Sequence, residues 1–426
     1  MQSLCVLGRQ PALGLAELES LYGADKLQRF GDRAVLLNVD PCLLAFDRLG
    51  GSIKFCKVLT TLDTIDWRAI EKFLIEVSPE HSKAIPPGKM HLGLSVYGLK
   101  ISAQRITATA LSVKKAIQIT GRSVRVVPNQ EAALSSAQVI HNHLTGLNGW
   151  ELVFVRDGNK IICAQTIKEQ DITAYTRRDR NRPKRDSRVG MLPPKLSQII
   201  INLAIGTLPE DKLKSICDIP AGSTIPLPKF EQTILDPFCG TGVILQEALL
   251  MGYNVFGSDN QKKMVDYSNI NLNEWLLTTV YPHLEGRITL TVGDATSYQW
   301  SKSHNNKNDN LGFEKIDTVA SETYLGRPFI AQPSTEVLAQ TLADCNVIIK
   351  KFLKNIHGQV SPGTRFCLAI PAWQVRPDEF KHLPLVDSLE ELGYNRVSFK
   401  CVLDRDLVYY RPDQIVAREL LVITRK

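Results

Sequence analysis

The segment Ile234-Leu235-Asp236-Pro237-Phe238-Cys239-Gly240-Thr241-Gly242, running on to Gly257-Ser258-Asp259, constrains the fold more than any other part of the chain. Two apolar residues lead into a glycine-rich turn, and Val243 to Leu250 then carries an apolar stripe at helical spacing. A second short apolar run, Tyr253 to Phe256, leads to the acid Asp259. Strand, glycine turn, helix, strand and acid, in that order, make the first half of a nucleotide-binding βαβ unit. Glycine serves such a turn because a ligand approaches backbone closely only where no Cβ intervenes, and because φ there is one that other residues resist. An acid just past the second strand sits at the rim of the sheet, able to accept hydrogen bonds from both hydroxyls of a ribose.

Two details argue against a dinucleotide. Leu245 replaces the third glycine of that fingerprint, and Asp236 ends the first strand, where it would repel a pyrophosphate. An acid there suits a cationic ligand, and S-adenosyl-L-methionine carries an ammonium and a sulfonium. The run from Asp236 to Gly242 closely resembles the first motif of class I RNA methyltransferases. The resemblance implies a Rossmann-like α/β domain with a seven-stranded sheet. Asp236, Phe238, Gly240, Gly242 and Asp259 are then the expected cofactor-binding residues.

The chain has 426 residues, and about one domain per 150 residues points to two or three domains. No run approaches the roughly 18 apolar residues of a membrane span. The N-terminus lacks a basic region followed by a long apolar stretch, so a cytoplasmic protein is expected. The cysteines are scattered, with no Cys-x-x-Cys pair, and buried reduced thiols rather than a metal site are expected. A net charge of +7 permits a polyanionic partner without demanding one.

From the N-terminus, strands at 3–8, 34–39 and 52–59 alternate with helices at 12–22 and 41–49, the second opened by Asp40. This reads as a small ferredoxin-like domain over residues 1–62. The pattern then changes: helices are expected at 67–75, 102–119 and 132–144, and strands at 91–97, 124–127, 151–156 and 160–165. Asp157-Gly158 is a hairpin signal between the last two. In order and spacing, residues 63–170 resemble a THUMP domain preceded by its accompanying N-terminal domain, which implies recognition of the acceptor end of tRNA.

Thr176 to Arg188 packs seven basic residues against two acids around Pro183 and reads as a basic linker, 171–190. Arginine dominates, which favours bidentate phosphate contacts, so Arg177, Arg178, Arg180, Arg182, Lys184 and Arg185 are candidate RNA contacts. Arg178-Asp179-Arg180-Asn181-Arg182-Pro183, followed by Gly190-Met191-Leu192-Pro193-Pro194-Lys195-Leu196, resembles the entry to the catalytic domain of the tRNA guanosine-10 N2-methyltransferases. That family implies a tRNA substrate and makes Leu192 and Pro193 wall residues at the methionine end of the cofactor. The catalytic domain is expected over 191–426.

After Asp259 come helix 264–277, strand 288–292 and Asp294, expected to accept from the adenine amine or to cap the next turn. The loop 303–311, with His304 and four asparagines, shows no evident chemistry. Members of the family end the fourth strand on Asp-Pro-Pro-Tyr; here the chain reads Ser321-Glu322-Thr323-Tyr324-Leu325-Gly326. Counting from the strand start and from Gly326 puts Glu322 in the acid's place, whereas aligning the tyrosines puts Ser321 there. The first register is preferred, with Tyr324 as a stacking face for a flipped base. Helices at 334–354 and 386–393 and strands at 363–370, 397–403 and 415–424 complete the domain, with Tyr409-Tyr410-Arg411-Pro412 in the last loop. Three readings stay open: a guanine-N2 tRNA methyltransferase, a methyltransferase of another base on structured RNA, and a tRNA-binding protein without turnover. DNA N6-adenine transfer is more distant, because the THUMP-like part argues for RNA.

Overall fold

The computed structural model describes residues 2–186, 192–217, 230–282, 284, 286–301, 315–329, 332–376, 379–411 and 414–426. Arg188, Gly190, Met191, the loop 303–311 and Pro412 lie outside the described residues. The chain forms two compact units, Met1–Leu15 with Asp25–Asp47 and Gly51–Ala174, and Ala16–Ala24 with Arg48–Gly50 and Tyr175–Lys426. No helix among the described residues is long and apolar enough to cross a membrane.

The strands of the first unit are β1 (Ser3–Leu7), β2 (Leu27–Phe30), β3 (Ala34–Leu37), β4 (Ser52–Leu62), β5 (Met90–Tyr97), β6 (Val124–Val126), β7 (Gly149–Asp157) and β8 (Lys160–Glu169). Helices α1 (Pro11–Tyr22), α2 (Trp67–Ser82), α3 (Ala103–Gln118) and α4 (Ser136–His141) interleave with them. All eight strands join one sheet, ordered β2-β3-β1-β4-β8-β7-β5-β6. Strands from both sides of the division expected at residue 62 thus share this sheet. β4 is eleven residues long and pairs antiparallel with β1 on one edge and with β8 on the other, joining the strands of the two stretches. The helix expected over 41–49 is instead two 3₁₀ turns, Pro41–Leu43 and Phe46–Arg48. Asp40 does cap the first, accepting from Cys42 N at 2.9 Å.

The expected linker also changes character. Ile172–Arg180 is a helix, α5, on which Tyr175 and Arg178 are buried. Its sequence has a buried side as well as a charged one, and a solvated linker has none.

In the second unit, α6 (Pro194–Ile205) and α7 (Glu210–Cys217) precede β9 (Thr233–Asp236), α8 (Val243–Leu250), β10 (Asn254–Asp259) and α9 (Lys262–Asn269). The last runs on as a π-helix, Ile270–Val280. Then come β11 (Ile288–Val292), β12 (Thr318–Glu322), α10 (Thr335–His357), β13 (Arg365–Arg376), β14 (Glu379–Lys381), β15 (Tyr394–Arg396), β16 (Val408–Tyr409) and β17 (Val416–Arg425). The main path of the sheet is β11-β10-β9-β12-β13-β17-β15, seven strands as expected, with the short β14 and β16 added on β13 and β17. The run β11 to β13 is parallel, and β17 is antiparallel to β13. Residues 397–403 form no strand. The strand paired with β17 lies just before them at Tyr394–Arg396, so the sequence pattern placed it late. The helix expected over 386–393 is a pair of 3₁₀ turns.

One face of this sheet packs against α10, whose Leu342, Cys345, Ile349, Phe352, Leu353 and Ile356 join Leu235, Phe256, Val319, Phe366 and Leu368 of the strands in one buried cluster. Their helical spacing supplies the apolar stripe that holds α10 on the strands. α6 packs against α8 and β13, burying Leu196, Ile199, Ile200 and Leu203.

Candidate active site

The chain leaves β9 toward β10 and β11 on one side of the sheet and returns to β12 on the other. A crevice opens at the carboxyl ends of parallel strands where their order reverses in this way. A cavity of about 940 Å³ lies there, within the size range of small-molecule sites. Leu192, Asp236, Phe238, Gly240, Asp259 and Asp294 line it on one part, and Glu322, Tyr324, Arg327, Phe329, Lys351 and Arg418 on another.

The glycine turn shapes the first part. Gly240 has φ +52°, and a Cβ built there meets nothing within 4 Å, so the turn presents bare backbone to open space. Gly242 does not line the cavity. It has φ +82°, precedes α8, and a Cβ there would press on Ser268 at 3.0 Å. Leu245 has its own explanation: a Cβ on Gly257 of β10 would lie 2.4 Å from Leu245 Cδ1. The glycine that allows helix and strand to approach thus sits on the strand.

Asp259 Oδ2 accepts from Gly240 N at 3.1 Å and Oδ1 from Gln261 N at 2.9 Å. Partial burial raises its pKa, and these two backbone donors oppose the rise. Each oxygen keeps lone-pair capacity toward the cavity, as a ribose would need. Asp236 is buried, and its Oδ1 accepts from Ser321 Oγ at 2.6 Å and from Phe238 N at 3.2 Å. Burial pushes its carboxyl up to about 7, the two donors pull it down, and the charges of Asp259 and Glu322 raise it further. Phe238 stands edge-on to Phe352 at 5.4 Å. Asp294 Oδ1 accepts from Thr296 N and Oγ1, both at 2.8 Å, so it caps its own turn while lining the cavity. Leu192 is buried in the wall. Pro193 is not part of the lining; it precedes α6, and its carbonyl accepts from Ser197 N at 3.1 Å.

At the end of β12 the two sequence registers separate. Ser321 is fully buried and donates to Asp236, which leaves it no role as a base. Glu322 lines the cavity with a side chain 15% exposed, and its Oε1 accepts from Arg418 Nε at 2.5 Å. Burial raises the pKa of Glu322 and the Arg418 guanidinium opposes that rise. Tyr324 is 41% exposed at the cavity. Gly326 closes the turn at φ +86°, where a Cβ would meet Thr341 at 2.6 Å.

Sequence reasoning missed Arg418. Its signal was an Arg-Glu pair inside the apolar run of β17. Strand alternation sends the neighbouring Glu419 to other partners, His382 Nδ1 at 2.6 Å and Arg396 at 3.3 Å.

The basic run divides. Arg178 stacks over the Tyr175 ring at 4.5 Å and pairs through Nε with Glu247 Oε1 at 3.0 Å. Arg182 is 4% exposed and donates to Thr241 Oγ1 of the glycine turn at 3.3 Å. Both are turned inward and unavailable to phosphates, Arg178 toward a buried carboxylate and Arg182 toward the half-buried Thr241 hydroxyl. Arg177, Arg180 and Arg185 are exposed, and Lys184 is half-buried over the Tyr267 ring at 5.6 Å.

Comparison with known proteins bears on the same region. Residues 227–321 match the family model described as RMKL-like, methyltransferase domain. A tRNA (guanine(10)-N2)-dimethyltransferase of Methanothermobacter thermautotrophicus is 26% identical over 183 residues, 43% of this chain and 39% of that protein. One from Pyrococcus abyssi is 34% identical over 110 residues, 26% of this chain and 24% of that protein. The chain thus spans well under half the length of these two relatives. The crystal structure of TrmN from Thermus thermophilus covers 100% of both chains at 15% identity, with a TM-score of 0.49. The matched residues, 227–321, hold the glycine turn, Asp259 and Ser321 of the site, and the strand order and cavity position accord with a methyltransferase domain there.

Proposed function

We propose that the protein is an S-adenosyl-L-methionine-dependent tRNA methyltransferase acting on the exocyclic N2 of a guanosine. The observation that carries this reading is a carboxylate, Glu322, at the end of β12, lining the same cavity as the glycine turn and Asp259. The names of the two archaeal relatives support the substrate.

The residues present fit the cofactor. Asp259 offers its carboxylate to the ribose, bare backbone at Gly240 admits close approach, and Asp294, Phe238 and Leu192 wall the adenine and methionine ends. When bound, S-adenosyl-L-methionine supplies an electrophilic methyl on a sulfonium. A guanine amine is a weak nucleophile because its lone pair is delocalised into the ring. Glu322 accepts one of the amine protons, which restores electron density on nitrogen and holds it in line with the methyl. Tyr324 provides a stacking face for the base. Exposed Arg177 and Arg180 contact tRNA phosphates, and residues 63–170 are the THUMP-like RNA-binding part of a cytoplasmic enzyme.

A second reading, a tRNA-binding protein without turnover, is favoured by one observation: Glu322 already has a charged partner in Arg418. Nucleoside mass spectrometry of tRNA after incubation with labelled cofactor separates the two. Label in N2-methylguanosine is expected, and Glu322→Gln removes it while cofactor and tRNA still bind. Label in another nucleoside, or none with any tRNA, overturns the proposal.

A further inference from the structure

We infer that Arg418 is the positioning residue for Glu322, holding one carboxylate oxygen in place so that the other faces the acceptor amine. The inference rests on the reading of Glu322 as proton acceptor given above.

A glutamate side chain has three rotatable bonds, and the turn after β12 lacks the prolines that would stiffen it. Something else must fix the carboxylate if it is to meet an amine in one orientation. Glu322 Oε1 is taken by Arg418 Nε, whereas Oε2 has no hydrogen-bond partner among the described residues and the side chain lines the cavity. Arg418 is itself held. It is 4% exposed, its backbone stands opposite Pro371 of β13 and Tyr409 of β16, and its Nη1 donates to Gln414 Oε1 at 3.3 Å. Its neighbour Glu419 is engaged elsewhere, with His382 and Arg396, so it does not compete for the guanidinium.

Charge gives the same assignment. The groups facing Glu322 are the guanidinium of Arg418 and, across the strand ends, the carboxyl of Asp236. Burial favours protonated Glu322, the Arg418 guanidinium opposes it, and a protonated carboxyl accepts no proton from an amine. Arg418 is the one cation among the described residues that forms an ion pair with Glu322.

The test uses the full-length protein in single-turnover methyl transfer across pH. Arg418→Gln should lower the rate constant by about ten-fold or more and leave cofactor affinity unchanged. The acid limb of its pH profile should move to higher pH, since Glu322 loses the charge that kept it ionised. Arg418→Lys, which keeps the charge but not the fork, should return the limb toward the parent while recovering only part of the rate. In a Glu322→Gln background, Arg418→Gln should cost nothing more. Independent, multiplying losses in the double variant, or an unmoved acid limb, overturn the inference. Should the Gln variant fail to fold, the Lys variant decides: a rate equal to the parent's overturns it. Failure of the underlying reading looks different, because Glu322→Gln would then turn over like the parent.

Discussion

Arg178 and Glu247 meet at 3.0 Å, Arg418 and Glu322 at 2.5 Å, and in both pairs the guanidinium Nε donates to a glutamate Oε1. The surroundings differ. The first pair is sealed, with side chains 9% and 0% exposed, and Glu247 Oε2 is buried without a partner among the described residues. In the second the arginine is 4% exposed and the glutamate 15%, and that remainder faces the cavity. The same chemistry serves architecture where both ends are closed and a site where one carboxylate oxygen stays open. Neighbouring groups reinforce the split: Tyr175 and Gln246 complete the sealed pair, whereas the open one shares its cavity with Asp236 and Tyr324.

The largest test of this contrast is on stability. Glu247→Ala leaves a buried guanidinium unpaired and should cost about 3–5 kcal/mol in denaturant unfolding. Replacing both members, Arg178→Met with Glu247→Leu, should recover most of that loss. Glu322→Gln should do the reverse, lowering methyl transfer by at least about 100-fold, or about 2.7 kcal/mol, with a much smaller change in unfolding free energy. If it destabilises the fold as much as Glu247→Ala does, the two pairs are alike and the contrast fails.

Asp259→Ala should weaken S-adenosyl-L-methionine by about ten-fold to a hundred-fold in calorimetry, because charged hydrogen bonds contribute about 1.5–3 kcal/mol each. Unchanged affinity would detach the glycine turn from the cofactor. Asp236 gives a pH test. Its carboxyl is pushed from 3.8 to about 7 in the folded chain, so between those values the native state holds a proton that the unfolded state has released. Stability of the ligand-free protein should therefore fall as pH rises from about 4 to 7, by up to about 1.4 kcal/mol per unit. Asp236→Asn should flatten that slope, and an unaltered slope would show that burial does not set this group. The smallest effect concerns the outward arginines. Replacing Arg177 and Arg180 should reduce the logarithmic salt dependence of tRNA binding by about 0.7–0.9 for each phosphate no longer neutralised. Arg177→Ala with an unchanged slope returns the exposed side of α5 to plain solvation.

What the sequence determined by itself is what short-range patterns carry. Asp236 to Gly242 and Asp259 announced strand, turn, helix and strand, because the glycine φ values, the apolar spacing and the acid at a strand end are all properties of about 25 consecutive residues. Glu322 was reached the same way, by counting along one strand to a closing glycine. Partners were another matter. Ser321 lies 85 residues from Asp236, and Arg418 lies 96 from Glu322 across the intervening β13, so nothing local joins them. The basic run misled for that reason. Its charge was visible, but whether an arginine meets water or a buried glutamate is decided by the element packed against it, and for Arg178 that element is α8, 69 residues away. A pattern of alternation likewise marks β4 as a strand without saying that both its edges are paired. Propensity and spacing are intrachain quantities of short range; burial, ion pairing and sheet edges belong to the packed molecule.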